Sequence, residues 1–115
     1  MSPRAWKLRI HDILDGIKDI KSFIADRTRE QFSADKKTYL AVIRSLEVIG
    51  EAAHHTPDAI KKKYPEIPWR KIKDFRNVLV HQYFGIDNDI IWKTINDELL
   101  SLVQVFEKIL SQESE

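Results

Sequence analysis

Three side chains in one short stretch can do chemistry together: Arg76, His81 and Tyr83, with Asp74 and Asn77 beside them. Histidine changes charge near neutral pH and can give or take a proton. Arginine presents a planar fork of donors that fits a phosphate. Tyrosine donates a hydrogen bond or offers a hydroxyl for modification. The chain has no cysteine, which removes thiolate nucleophiles, disulfides and cysteine metal sites. No phosphate-binding glycine loop, dinucleotide motif or zinc-protease motif occurs. The acids form no metal-binding spacing, and the adjacent His54 and His55 do not share a helix face, so no metal is expected. The residue types suit metal-free cleavage of RNA. His81 serves as general base or acid, Arg76 stabilises charge on the reacting phosphate, and the RNA's own 2′-hydroxyl attacks. Such chemistry leaves a cyclic phosphate and excludes DNA.

These groups need a helix to hold them. Pro68 suits a helix start, and Ile72, Phe75 and Leu79 give the three-and-four spacing of an apolar face. Gly85 reads as the stop and Asp87 as the cap of the next helix. On an ideal helix Arg76 and Tyr83 project within about 20° of each other, near Trp69 and Ile72. Arg76 thus leaves from the edge of an apolar face and needs a carboxylate, a phosphate or a neighbouring chain. His81 projects about 140° away and groups with Asp74 and Asn77. Either the helix distorts before Gly85, or a second copy completes the site. A third arrangement has Asn77 holding His81 and Arg76 paired with a glutamate, with no catalysis at all.

A basic cluster lies just before and within this helix: Lys61, Lys62, Lys63, Arg70, Lys71 and Lys73, with Glu66 the one acid among them and Tyr64 and Trp69 interleaved. Such a cluster binds phosphates and stacks on unpaired bases, or it is a solvated helix face.

The remaining elements follow from periodicity. A chain of 115 residues predicts a single domain over 1–115. Its 3 Gly and 4 Pro favour long helices over many strands and turns. A net charge of +1 decides nothing about nucleic acid, so only the local distribution informs. The start shows no apolar signal region and no stretch spans a membrane, which fits a cytoplasmic protein. Helix one is predicted from about Arg4 to Phe23 on the stripe Trp6, Ile10, Ile13, Ile17, Ile20 and Ile24. Gly16 inside it costs about 1 kcal/mol against Ala or marks a close crossing. Asp26 to Gln31 reads as a polar turn. Helix two is predicted from Ser33 or Asp35 to about Ala53, with Arg44, Glu47 and Glu51 as its polar exceptions, a local ion pair or support for the site. Thr56 is expected to cap a short helix opened by Pro57 and running through Lys63. Helix four covers Pro68 to about Tyr83, and helix five runs from Asp87 to about Leu110. The expected architecture is an all-α, up-and-down bundle of four to five helices.

Two segments carry a family resemblance. Arg76, four residues, His81, one residue, Tyr83 resembles the catalytic signature of the HEPN superfamily. Ser45 to Ala52 and Phe75 to Asp87, followed by Trp92, resemble its HepT-like branch over nearly the whole chain. The resemblance implies a homodimer whose motif residues face each other across the two-fold. It implies a ribonuclease acting as the toxin of a type VII-like toxin–antitoxin pair, with a minimal nucleotidyltransferase as the antitoxin and no cofactor. It makes Arg76 and His81 catalytic, Tyr83 the residue to which the antitoxin transfers AMP, and Asn77 a residue that orients the site; by their placement Asp74 and Glu47 are expected to support it. The basic cluster read above, Lys61, Lys62, Lys63, Trp69, Arg70, Lys71 and Lys73, would on such an enzyme contact RNA. Two other readings stay open: a non-catalytic subunit binding a nucleotidyltransferase or a nucleotide, and a helical structural protein.

Overall fold

The structure, a computed structural model, describes residues 3–81 and 88–113, with the side chains of 3, 4, 78, 80 and 81 outside that description. Among the described residues every regular element is a helix. Helix α1 is Pro3–Ile24, α2 is Arg29–Ala34, α3 is Lys36–His54, α4 is Asp58–Lys63 and α5 is Trp69–His81. A last helical run, α6, covers 88–112. The predicted all-helical class and the long amphipathic elements are present. The expectations for Tyr83, Gly85 and Asp87 fall outside the described residues.

Helix α3 is the central element, packed against α1 on one side and α5 on the other. The α1 stripe is wholly internal: Ile10, Ile13, Ile17 and Ile20 are fully buried. Gly16 does mark a close crossing. A Cβ there would sit 2.8 Å from Ile49 Cγ1, so α1 and α3 approach over a missing side chain. The C-terminal part of α6 closes the core against α1 through Phe106 and Ile109.

Two sequence expectations are corrected. The polar turn predicted at 26–31 contains the start of α2. Thr28 caps that helix in a reciprocal box: its hydroxyl accepts from the Gln31 N–H at 3.1 Å, and the Gln31 side chain accepts from the Thr28 N–H at 2.9 Å. Asp26 makes the preceding turn with a φ of 61°, a left-handed conformation that Asp tolerates better than most residues. Asp35 then separates α2 from α3, accepting from the Thr38 N–H at 3.2 Å and pairing with Arg27 at 2.8 Å. Nor does Thr56 cap α4. Its hydroxyl donates back to the Ala52 carbonyl at 3.0 Å, closing the end of α3, and Pro57 holds the cap position.

Helix α6 changes winding where its apolar spacing changes. Ile91, Ile95 and Leu99 are separated by four residues each, a step that drifts about 80° around an ideal α-helix over two repeats. The π-helical turn at Ile95–Leu99 is wider and keeps all three inside. The next step, Leu99 to Leu102, is three residues and coincides with a 3₁₀ turn at Leu100–Leu102. Asn96 and Ser101 side chains donate to the Trp92 and Glu98 carbonyls, at 2.9 and 2.8 Å, along this irregular stretch.

Helix α5 lies so close to α3 that a Cβ on Gly50 would overlap Arg76 Cβ and lie 2.8 Å from Arg76 Cγ. This yields a test with an informative sign. Helix propensity alone makes Gly→Ala stabilising by about 1 kcal/mol in a helix interior. Gly50→Ala is instead expected to destabilise by about 1–3 kcal/mol, the usual cost of overpacking. Urea unfolding with an unchanged denaturant slope would measure it.

Candidate active site

Arg76 emerges from α5 directly over Gly50 of α3, so the first atoms of its side chain lie against backbone. Its tip reaches the next α3 residue: Arg76 Nη2 is 2.7 Å from Glu51 Oε2. The other Glu51 oxygen is 2.8 Å from His55 Nε2, one turn further along α3. Glu51 therefore bridges Arg76 and His55. Asn77 adds a long contact, its Oδ1 accepting from Arg76 Nη1 at 3.4 Å. Arg76 side-chain exposure is 28%, against 94% for Arg70 on the outer face of the same helix. A cleft of about 290 Å³ opens beside Arg76, lined also by Arg9, Asp12, Arg44, Glu47 and Glu51.

The electrostatics follow from these contacts. The hydrogen bond from His55 holds the Glu51 carboxyl below its usual range, with the Arg76 charge adding to the effect and burial opposing it. His54 is shifted the other way from a paired imidazole. Desolvation lowers its pKa, and the charges of Lys73, His55, Lys61 and Arg76 push in the same direction. Adjacent in sequence, the two histidines thus have different environments: His55 faces a carboxylate and His54 faces cations.

The predicted site residues divide. Arg76 and Asn77 touch, and Glu47 lines the same cleft. Glu47 is occupied by Arg44 at 3.5 Å, and the carboxylate that holds Arg76 is Glu51. The sequence carried a signal for it, since an arginine leaving an apolar face needs an acid. Which glutamate answers is set by the α3–α5 crossing. Asp74 lies away from this cleft, beside Arg70 at 4.0 Å in a shallow recess with Pro65 and Pro68. His81 is the last residue of α5, and its side chain, like Tyr83, is outside the described residues.

The basic cluster is not one uniform field. Trp69 is buried, packs edge-on against Phe106 with ring centroids 5.8 Å apart, and donates its indole N–H to the Tyr64 carbonyl at 3.0 Å. Tyr64 is buried too, its hydroxyl donating to Glu113 at 2.9 Å. That burial, with the bond to Glu113, pushes its pKa up to about 12. The aromatic rings expected to stack on bases are therefore core residues in this chain. Lys63 pairs with Glu113 and Lys71 with Glu98. Lys62 and Arg70 are exposed, while Lys61 and Lys73 flank His54, with Lys61 Nζ donating to the His54 carbonyl at 3.3 Å. Of this cluster, Lys61 and Lys73 act on His54 together with Arg76, while Arg9 and Arg44 line the cleft beside Arg76. Among the described residues, no three His, Asp or Glu side chains are grouped so as to hold a metal, and no helix is long and apolar enough to cross a membrane.

A helical chain with an arginine clamped between two helices, and a histidine five residues on, defines a class. The family model described as Ribonuclease HepT-like matches residues 13–109, and the chain belongs to that family. Among its relatives is the "Probable ribonuclease HepT" of Thermococcus cleftensis, 43% identical over 106 residues that cover 92% of this chain and 96% of that protein. A "Putative RNase" of Methanocaldococcus jannaschii is 44% identical over 101 residues, 88% of this chain and 84% of its own. Another "Putative RNase", from Caldanaerobacter subterraneus, is 37% identical over 95 residues, 79% of this chain and 85% of its own. No solved structure matches the chain significantly.

The Glu51 bridge has a pH signature. Its folded pKa lies below the unfolded one, so its contribution to stability is complete above the ordinary glutamate value of about 4.3 and is lost as pH falls through the folded value. Glu51→Gln is expected to flatten that acid limb of the stability curve. Urea midpoints measured from pH 3 to pH 7 for both proteins would show it.

Proposed function

We propose that this protein is a metal-independent endoribonuclease. The observation that carries the reading is the fixed Arg76 guanidinium beside an open cleft, on the helix that also supplies His81, in a chain of the HepT-like family. Relatives named as ribonucleases over most of their length support the same substrate class.

In the proposed reaction His81 takes the proton of a ribose 2′-hydroxyl. The oxygen attacks the adjacent phosphorus, and Arg76 stabilises the charge that builds on the equatorial oxygens. A bond forms between O2′ and phosphorus, and the bond to O5′ breaks. The leaving O5′ takes a proton, giving a 2′,3′-cyclic phosphate and a 5′-hydroxyl. On an ideal helix Arg76 and His81 project about 140° apart, which supports a working site that combines Arg76 of one copy with His81 of the other in a homodimer. Within a toxin–antitoxin pair in the cytoplasm, a minimal nucleotidyltransferase would silence the enzyme. It would transfer AMP from ATP to the Tyr83 hydroxyl, releasing pyrophosphate. The seven-residue spacing of Arg76 and Tyr83 supports an adenylate whose negative charge and bulk compete with an RNA phosphate.

Purified protein whose mass shows no added AMP is expected to cleave labelled RNA in EDTA and leave cyclic ends. Arg76→Ala and His81→Ala are each expected to lose at least about 100-fold in rate while remaining folded. Tight binding of a nucleotidyltransferase with no cleavage of any RNA would instead mark a non-catalytic subunit. A second experiment addresses the shared site. Mixing and re-equilibrating the two inactive variants should restore up to one intact site per mixed dimer. Continued inactivity of verified mixed dimers would contradict a site built from both copies.

A further inference from the structure

We propose that Glu51 is a positioning residue for Arg76: it fixes the guanidinium on α3 so that the remaining donors meet the reacting phosphate in one orientation. The proposal rests on the ribonuclease reading above.

The two ends of the Arg76 side chain are held by neighbouring residues of one helix. Gly50 takes the stem, where there is no room for a Cβ, and Glu51 takes the tip at 2.7 Å. Glu51 is itself oriented, because His55 Nε2 lies 2.8 Å from its second oxygen. An arginine side chain has much rotamer freedom to lose, and a clamp removes part of it before substrate arrives. Guanidinium has five N–H donors, and Glu51 engages Nη2 while Asn77 makes a long contact to Nη1. Donors are left for a phosphate oxygen while the carboxylate stays in place.

The charge arithmetic separates positioning from binding. Removing the Glu51 carboxylate makes the cleft one unit more positive, so attraction to RNA does not fall. The alignment of Arg76 at the transition state does. A residue that merely stabilised the fold would alter the midpoint of unfolding and leave the ordered guanidinium of the folded molecules unchanged. A residue that itself bound RNA would raise KM when removed.

The experiment uses full-length wild type, Glu51→Ala and Glu51→Met; the Met variant keeps the stem and removes the acceptors, so it carries the test if the alanine variant does not fold. Glu51→Gln keeps one acceptor and serves as the conservative rescue. Three quantities are read: kcat and KM on RNA in EDTA, affinity for the same RNA with every ribose 2′-O-methylated, and the ¹⁵N order parameter of Arg76 Nε–H. The expected result is a fall in kcat of about 10- to 100-fold for the alanine and methionine variants, the range that small misplacements of a catalytic group produce. KM is not raised, affinity for the methylated RNA is not weakened, and Arg76 Nε–H becomes mobile. Glu51→Gln is expected to recover much of both rate and order. An unchanged kcat, or an Arg76 as ordered without the acceptors as with Glu51, overturns the proposal. Should wild type fail to cleave RNA, the ribonuclease reading fails by itself, and the Arg76 order parameters still decide whether Glu51 holds the arginine.

Discussion

The rest of the site depends on how closely α5 crosses α3. Gly50 has no side chain, so the helices meet over the Arg76 stem, and the guanidinium reaches the next residue of α3 rather than solvent. A wider crossing would leave Arg76 on a flexible four-bond tether. The apolar stripes serve this contact: α1 supports α3 from behind through Gly16 and Ile49, and Leu79 anchors α5 in the core. The catalytic chemistry proposed for this chain is therefore inseparable from a packing constraint.

Electrostatics act on top of that geometry. An arginine already paired with a carboxylate looks poorly suited to receive a phosphate, yet the pair is partly exposed, with Glu51 side-chain exposure at 45%. Exposed ion pairs contribute little net energy, typically about 0–1 kcal/mol, so an incoming phosphate does not have to overcome a deep well. The local balance of cations is set by which lysines are already engaged. Lys63 and Lys71 are drawn to Glu113 and Glu98, while Lys61 donates to the His54 carbonyl and, with Lys73 and Arg76, acts on the His54 ring.

Much of this was legible from residue spacing because helices convert spacing into faces. The α1 stripe, the length of α3 and the apolar face of α5 all follow from intervals of three and four. Even the π-helical turn of α6 has a trace in the two successive four-residue intervals from Ile91 to Leu99. Helix α2 was hidden by its polarity, although Thr28 and Gln31 spell a capping box. Trp69 misled for a related reason. Its place among lysines and arginines suggested a stacking ring, whereas its helical projection beside Ile72 pointed to the apolar face, where it packs on Phe106 and donates to the Tyr64 carbonyl. The choice of Glu51 over Glu47 as the partner of Arg76 was beyond reach. Both are polar exceptions on the same helix, and only the crossing with α5 distinguishes them.

In the proposed reaction this site cleaves RNA through the substrate's own 2′-hydroxyl, with Arg76 at the phosphate. The most direct measurement uses one mapped cleavage position and two RNAs that differ there by a single oxygen. In EDTA, the all-ribose strand should be cut at that position, and the strand with one 2′-deoxy residue immediately 5′ of the scissile phosphate should not, with other cuts unaffected. Equal cleavage of both strands at that position would rule out attack by that hydroxyl.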